Sequence, residues 1–124
     1  MTTKEEIQLR IKDLCARLPY RVKGLHREQV HIITNMDGGS LYPSIQVDGY
    51  EAWFPVETFK PYLRPLSSMT EEEENKYNSL NAYEKGIFPH TEEAFDWLNA
   101  HHFDYRGLIE KNLALEAPEG MYNN

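Results

Sequence analysis

Two sets of residues in this 124-residue chain have the types and spacing for chemistry. The first is His101-His102 followed by Asp104, Tyr105 and Arg106, with His90 upstream. Imidazoles beside carboxylates are the side chains that hold divalent metals and pass protons. The spacing argues against a chelate. Adjacent helical residues point about 100° apart, so His101 and His102 would share one ion poorly, and there is no HExxH pattern. The economical reading is structural: one histidine packs over Leu98 and the other caps a helix C-terminus, where a cation is favoured. No catalytic residue, metal or cofactor is expected. An enzyme or metal site on His101, His102, Asp104 and Arg106 stands as an alternative.

The second set is aromatic. Tyr42 and Trp53 fall on one mixed sheet face, with Tyr62 and Arg64 close behind in sequence. Trp, Tyr and Arg dominate protein–protein contacts, so the preferred function is a non-enzymatic interaction module with another protein as partner. The competing arrangement has the first helix or the acidic half covering this face. The alternative partner is a single-stranded nucleic acid. Arg10, Lys12, Arg17, Arg21, Lys23 and Arg27 lie beside Tyr20, Tyr42, Tyr50 and Trp53, and small barrels bind single strands by stacking and backbone electrostatics. A net charge of −7 and the lack of a nucleic-acid motif weigh against it. A third option is an acidic surface that mimics nucleic acid to occupy a basic partner. Gly38-Gly39-Ser40 does not lie between a strand and a helix, so it reads as a turn rather than a phosphate cradle. Cys15 is the only cysteine, which excludes an internal disulfide or a cysteine cage, and it reads as a small buried hydrophobe.

These residues must be positioned by a small set of elements. Thr3-Lys4-Glu5-Glu6 and Thr70-Glu71-Glu72-Glu73 are capping boxes, and Thr91-Glu92-Glu93 is a weaker start. The first helix is expected from about Lys4 to Leu18, with Ile7, Ile11, Leu14, Cys15 and Leu18 as its apolar stripe and Pro19 as its stop. Strands are expected at 20–25, 29–36, 41–47 and 50–56. Asp48-Gly49 predicts a two-residue hairpin that pairs Val47 with Tyr50, Ile45 with Ala52, Pro43 with Phe54 and Leu41 with Val56 as one core face. Residues 57–65 read as a turn-rich tail to the sheet. Helices are expected from Glu71 to about Tyr83 and from Glu92 to about His102. A short helix or turn over 105–111, an apolar anchor at Leu113-Ala114-Leu115 and a loose tail from Pro118 complete the chain.

The expected class is α+β: an N-terminal helix, a small curled antiparallel sheet or partial barrel of about four strands, then an acidic helical C-terminal segment. Residues 1–66 hold the helix and sheet, and residues 67–124 hold the acidic helices packed on them as one compact unit. The charge divides at the same place. Residues 1–66 carry nine Lys/Arg against eight Asp/Glu, whereas residues 67–124 carry four against twelve. No leader and no spanning apolar run is present, so the cytoplasm is the expected compartment and no membrane partner is expected.

Three blocks carry a resemblance. They are Lys60-Pro61-Tyr62-Leu63-Arg64-Pro65-Leu66-Ser67-Ser68-Met69-Thr70-Glu71-Glu72-Glu73, the stretch from His101 to Ile109 continuing through Leu113 to Tyr122, and Asp13-Leu14-Cys15-Ala16-Arg17-Leu18-Pro19-Tyr20. Together they resemble a family of small uncharacterised proteins of gut Bacteroidetes and their phages and mobile elements. The resemblance implies a bacterial or phage cytoplasmic protein. It carries no activity, and therefore no catalytic residue.

Overall fold

The computed structural model describes residues 4–38, 42–81 and 92–122. Its elements are α1 (Lys4–Arg17), β1 (Lys23–His26), β2 (Gln29–Asp37), β3 (Ser44–Val47), β4 (Phe54–Pro55), β5 (Phe59–Pro65), α2 (Glu71–Asn81), α3 (Glu92–Ala100), β6 (Phe103–Asp104) and β7 (Leu115–Glu116). The class is α+β, as the sequence predicts. The sheet is open, in the order β4-β3-β2-β1-β5-β6, with β7 also paired to β5. It is antiparallel from β4 to β5, whereas β6 and β7 run parallel to β5. Three strands exceed expectation, because the 57–65 tail and the C-terminal segment both contribute. The expected caps at Thr3 and Thr91 lie outside the described residues.

Helix α1 buries a different stripe from the expected one. Arg10, Asp13, Leu14 and Arg17 face inward, at spacings that share one helix face. Leu14 belongs to both stripes, Ile7 and Leu18 pack at the core margin, and Cys15 is exposed with its sulfur 3.4 Å from Met36 Sδ. Charge explains the rotation. Asp13 and Arg17 are both 0% exposed. Arg17 Nε donates to Asp13 Oδ2 at 2.9 Å, and its Nη2 donates to the Phe103 carbonyl at 2.6 Å. Arg106 Nη1 donates to Asp13 Oδ1 at 2.8 Å. Arg10 Nη1 reaches the Phe59 carbonyl at 3.2 Å. A buried ion pair is tolerable when further hydrogen bonds meet its remaining polar atoms, and the Phe103 carbonyl and Arg106 of the C-terminal segment supply two of them.

The first hairpin turns on Arg27 and Glu28, with φ of 50° and 68°, between the paired residues His26 and Gln29. Both central residues are left-handed, as a type I′ turn demands, although Asn-Gly is the sequence that normally supplies it. Gly24 in β1 is obligatory for a packing reason: a Cβ there would run into the Phe59 ring and the Lys60 carbonyl.

The second hairpin pairs Ile45 with Phe54 and Ser44 with Pro55, two residues out of the expected register. Asp48 causes the shift. Its Oδ1 accepts the Ile32 N–H at 2.9 Å, its own N–H donates to the Ile32 carbonyl at 2.9 Å, and the residue is thereby held to β2. An even shift keeps each side chain on its face. Ile45, Val47, Phe54 and Val56 are accordingly buried as expected, while Tyr50 and Ala52 leave the ladder and become exposed.

Strand β5 alternates cleanly, with Phe59, Pro61 and Leu63 buried. Its prolines have an orientation argument. The Tyr62 carbonyl and the Arg64 N–H face the β1 and β6 side, whereas the Leu63 carbonyl accepts the Ala117 N–H beyond β7. By strand alternation the missing donors of Pro61 and Pro65 face the β7 side, where only Leu63 is bonded, so no ladder bond is lost.

Two outcomes follow from this packing. Glu28→Gly relieves a left-handed non-glycine and is expected to raise the unfolding free energy by about 1 kcal/mol in urea titrations. Asp13→Ala strands Arg17 in the interior and is expected to cost about 3–5 kcal/mol. Asp13→Leu combined with Arg17→Met should recover much of that loss, and a double variant no better than Asp13→Ala contradicts the account.

Candidate functional site

The residues singled out in the sequence fall in two regions. Tyr42, 78% exposed, and Trp53, 49% exposed, lie at the β3–β4 hairpin. On the observed register Trp53 falls opposite Gln46 rather than diagonal to Tyr42, about 13 Å along the strand at 3.3 Å per residue. Tyr62 and Arg64 lie on β5, separated from β4 by β3, β2 and β1. Four strand spacings amount to about 19 Å, so the sheet does not gather the quartet into one face. Tyr50 joins the hairpin surface instead. Its ring meets His31 at 5.5 Å and Phe54 at 5.9 Å, both edge to face, and the Arg27 guanidinium lies 4.6 Å over Phe54.

The His101, His102, Asp104 and Arg106 set is also divided. Arg106 is paired with Asp13. Asp104 accepts the N–H groups of Leu108 and Ile109, each at 2.9 Å, and so closes the turn that follows β6. Of the short helix or turn expected over 105–111 the turn is what forms, and Asn112 after it is left-handed, with φ of 61°. His101 lies 4.5 Å from Trp97, ring centre to ring centre. His102 sits in the left-handed position after α3, with φ of 63°, and its N–H donates to the Asn99 carbonyl. Glycine is the usual residue there. Its buried ring stacks on Tyr122 at 3.8 Å and 22°. The two rings face different partners, and His102 takes the position at the helix C-terminus expected of one of the pair. Among the described residues no group of three or more His, Cys, Asp or Glu side chains is placed to hold a metal ion.

What His101 does share is an open groove of about 840 Å³. Arg64 and Pro65 of β5, the start of α2, Trp97 of α3, His101 just after it, residues 116–120 and Tyr122 line it. The second capping box forms one wall. Glu73 N–H donates to Thr70 Oγ1 at 3.1 Å, and the Thr70 N–H donates to Glu73 Oε1 at 3.0 Å. Arg64 clamps the same carboxylate through two bonds of 2.7 Å and stacks 4.2 Å over Phe103. The Arg64 bonds, reinforced by the cap, lower the Glu73 pKa from 4.5 to about 2, against the opposing effect of burial.

No family model, no curated protein and no solved structure matches the chain. The geometry alone therefore carries the functional argument.

Tyr122 forms the opposite wall, in a segment that reads as a loose tail from its residues alone. The phenol donates to the Tyr62 carbonyl at 2.8 Å and accepts the Lys23 N–H at 2.9 Å. It occupies the place where Lys23 would pair with Tyr62, one step beyond the Gly24–Pro61 pair. Burial pushes the phenol pKa up.

The basic stretch from Arg10 to Arg27 is divided between the interior and the surface. Arg10 and Arg17 are buried, Lys23 donates to the Met121 carbonyl, and Arg27 covers Phe54, leaving Lys12 and Arg21 as its other exposed members.

Burial, aided by the positive charges of Arg17, Arg64 and Lys23, lowers the His102 pKa from 6.5 to about 4. Below pH 6.5 the unfolded chain binds a proton that the folded ring refuses until about pH 4, so stability falls as pH drops through that window. At about 1.4 kcal/mol per pKa unit the whole window is worth about 3 kcal/mol. Burial lowers the pKa of His26 and His101 as well, so they act in the same direction. Glu73 acts lower: its contribution is present above 4.5 and is lost as pH falls toward about 2. His102→Asn tolerates the left-handed backbone and removes the titrating ring. It is expected to lower stability at neutral pH, where the stack on Tyr122 is lost, and to flatten the decline between pH 6.5 and 4. Urea midpoints across that range check this, and an unchanged slope would assign the titration to another group.

Proposed function

We propose that this chain is a non-enzymatic protein-interaction module whose contact surface is the β3–β4 hairpin. The observation that supports this reading is the exposure of Tyr42, Tyr50 and Trp53 at the outer end of the sheet, at 78%, 49% and 49%. Tyr50 is held by His31 and Phe54, so an aromatic anchor is presented with little ordering left to do on binding. The nucleic-acid reading is weakened, because Arg10 and Arg17 are buried and Lys23 is bonded to the Met121 carbonyl, which leaves only Lys12, Arg21 and Arg27 of the six exposed, on a chain of net charge −7. The polar set near the end of α3 offers no convergent acid, base and nucleophile, since Asp104 and Arg106 are bonded within the fold. No helix among the described residues is long and apolar enough to cross a membrane. A bacterial or phage origin and a cytoplasmic setting belong to the same proposal.

Trp53→Ala is expected to shift the unfolding free energy by less than about 0.5 kcal/mol and to abolish capture of the partner from native-cell extract. Lys12→Ala, an exposed change on α1, should leave capture intact. Capture undiminished in both Trp53→Ala and Tyr50→Ala would refute the hairpin as the contact surface.

A further inference from the structure

The groove between α2, α3 and residues 116–122 has a feature that the outer hairpin lacks, an unpaired strand edge along its wall. Strand β7 pairs only with β5 among the described residues. Tyr62 is in register with Leu115, Leu63 with Glu116, and the Ala117 N–H donates to the Leu63 carbonyl at 2.8 Å. In a parallel ladder the residues flanking Glu116 therefore bond β5, and the N–H and carbonyl of Glu116 point to the opposite side. An unpaired edge is a template for another extended chain.

The groove also has a chemical sign. Glu72, Glu116 and Glu119 line it, and none makes an ion pair among the described residues. Glu73 and Arg64 neutralise each other, which leaves Lys76 as the one other cationic lining residue. Burial holds His101 toward its neutral form. Between the carboxylates the walls are Pro65, Trp97, Ala117, Pro118 and Tyr122, suited to aliphatic stems and small apolar side chains.

We propose that this groove receives an extended basic segment of a partner protein, which pairs along β7 at Glu116 and sets its cationic side chains against Glu72, Glu116 and Glu119. Alternation serves both needs. Every second side chain of an extended segment faces the same way, so lysines and small apolar residues in alternation meet carboxylates and apolar wall in turn. The surface is separate from the outer hairpin and does not depend on it.

The probe is a fluorescein-labelled heptapeptide alternating lysine and valine, followed by anisotropy with the full chain at low ionic strength. Saturable binding is expected, weakening as salt is added. The same peptide with glutamate in place of lysine should not bind. Glu116→Gln with Glu119→Gln removes charge and keeps the edge. Glu116→Pro removes the outward N–H while the Ala117–Leu63 bond stays. Each is expected to weaken binding about tenfold, and Trp53→Ala is expected to change nothing, which separates this groove from the hairpin. Circular dichroism verifies folding, and the glutamine pair decides the matter if the proline variant does not fold. Absence of saturable binding, equal binding of the glutamate peptide, or unchanged affinity in the folded variants overturns the proposal. A concentration-dependent dimer in sedimentation that Glu116→Pro dissolves would give the edge to a second copy and also overturn it.

Discussion

The rest of the structure depends on the burial of Asp13 between two arginines. Its carboxylate is removed from water together with Arg17, and Arg106 closes the other oxygen. Separating such charges from solvent costs several kcal/mol per ion, which close pairing and added hydrogen bonds must offset. The need for those bonds fixes the rotation of α1 about its axis. It also fixes where the C-terminal segment lies, because Arg17 finds its remaining partner in the Phe103 carbonyl and Asp13 finds its second in Arg106. The two ends of the chain are joined by charge where an apolar stripe alone would have allowed α1 to slide or turn.

Strand β5 is where the consequences meet. It takes β1 along its first residues, and β6 at Arg64 and Pro65. Between these two partners the ladder opens at Lys23 and Tyr62, and the Tyr122 phenol fills the gap. On the opposite side only Leu63 is bonded, which is why prolines are admissible at 61 and 65. A strand with alternate donors missing cannot carry a full partner on that side. It accepts the two residues of β7 and leaves β7 itself as an edge. The groove thus follows from proline spacing on β5 together with the wall that Tyr122 anchors.

Much of this was legible in the residues, and the failures share causes. The Thr70–Glu73 box forms as written, because capping is a local interaction between groups three residues apart. The core parity of the β3–β4 hairpin survives because the side-chain period of a strand is two, while its register does not, because Asp48 bonds to β2, which no local rule anticipates. The Arg27–Glu28 turn was hidden for the opposite reason: its residues are poor at the left-handed geometry, and tertiary pairing of β1 with β2 imposes it. The apolar stripe of α1 points Cys15 to the core, but the burial of Arg10, Asp13 and Arg17 turns the helix and leaves it exposed. The candidate site was the least readable part. Tyr42 and Trp53 are as exposed as a mixed face implies, but they are separated from Tyr62 and Arg64 by strand order. Strand order and the reach of Tyr122 across a gap 60 residues upstream are long-range facts with no local signature.

The charge division acquires a physical meaning at this point. Part of the basic stretch of the first half is the complement of the fold's own carboxylates and carbonyls: Arg10 and Arg17 are withdrawn from solvent, whereas Arg21 and Arg27 stay exposed. Arg64 and Arg106 are withdrawn in the same way, against Glu73 and Asp13. Among the described acids of the second half, only Glu73 and Asp104 are held in this way. Glu71, Glu72, Glu74, Glu92, Glu93, Asp96, Glu110, Glu116 and Glu119 are all exposed. The field that an approaching molecule meets is therefore more negative on this side than the formal charge of −7 conveys, since withdrawn cations screen it less than exposed ones would. Such a field speeds the approach of cationic partners and repels anionic ones before any contact forms. The basic partner proposed for the groove is one that this field favours, through the same arrangement that holds the fold together.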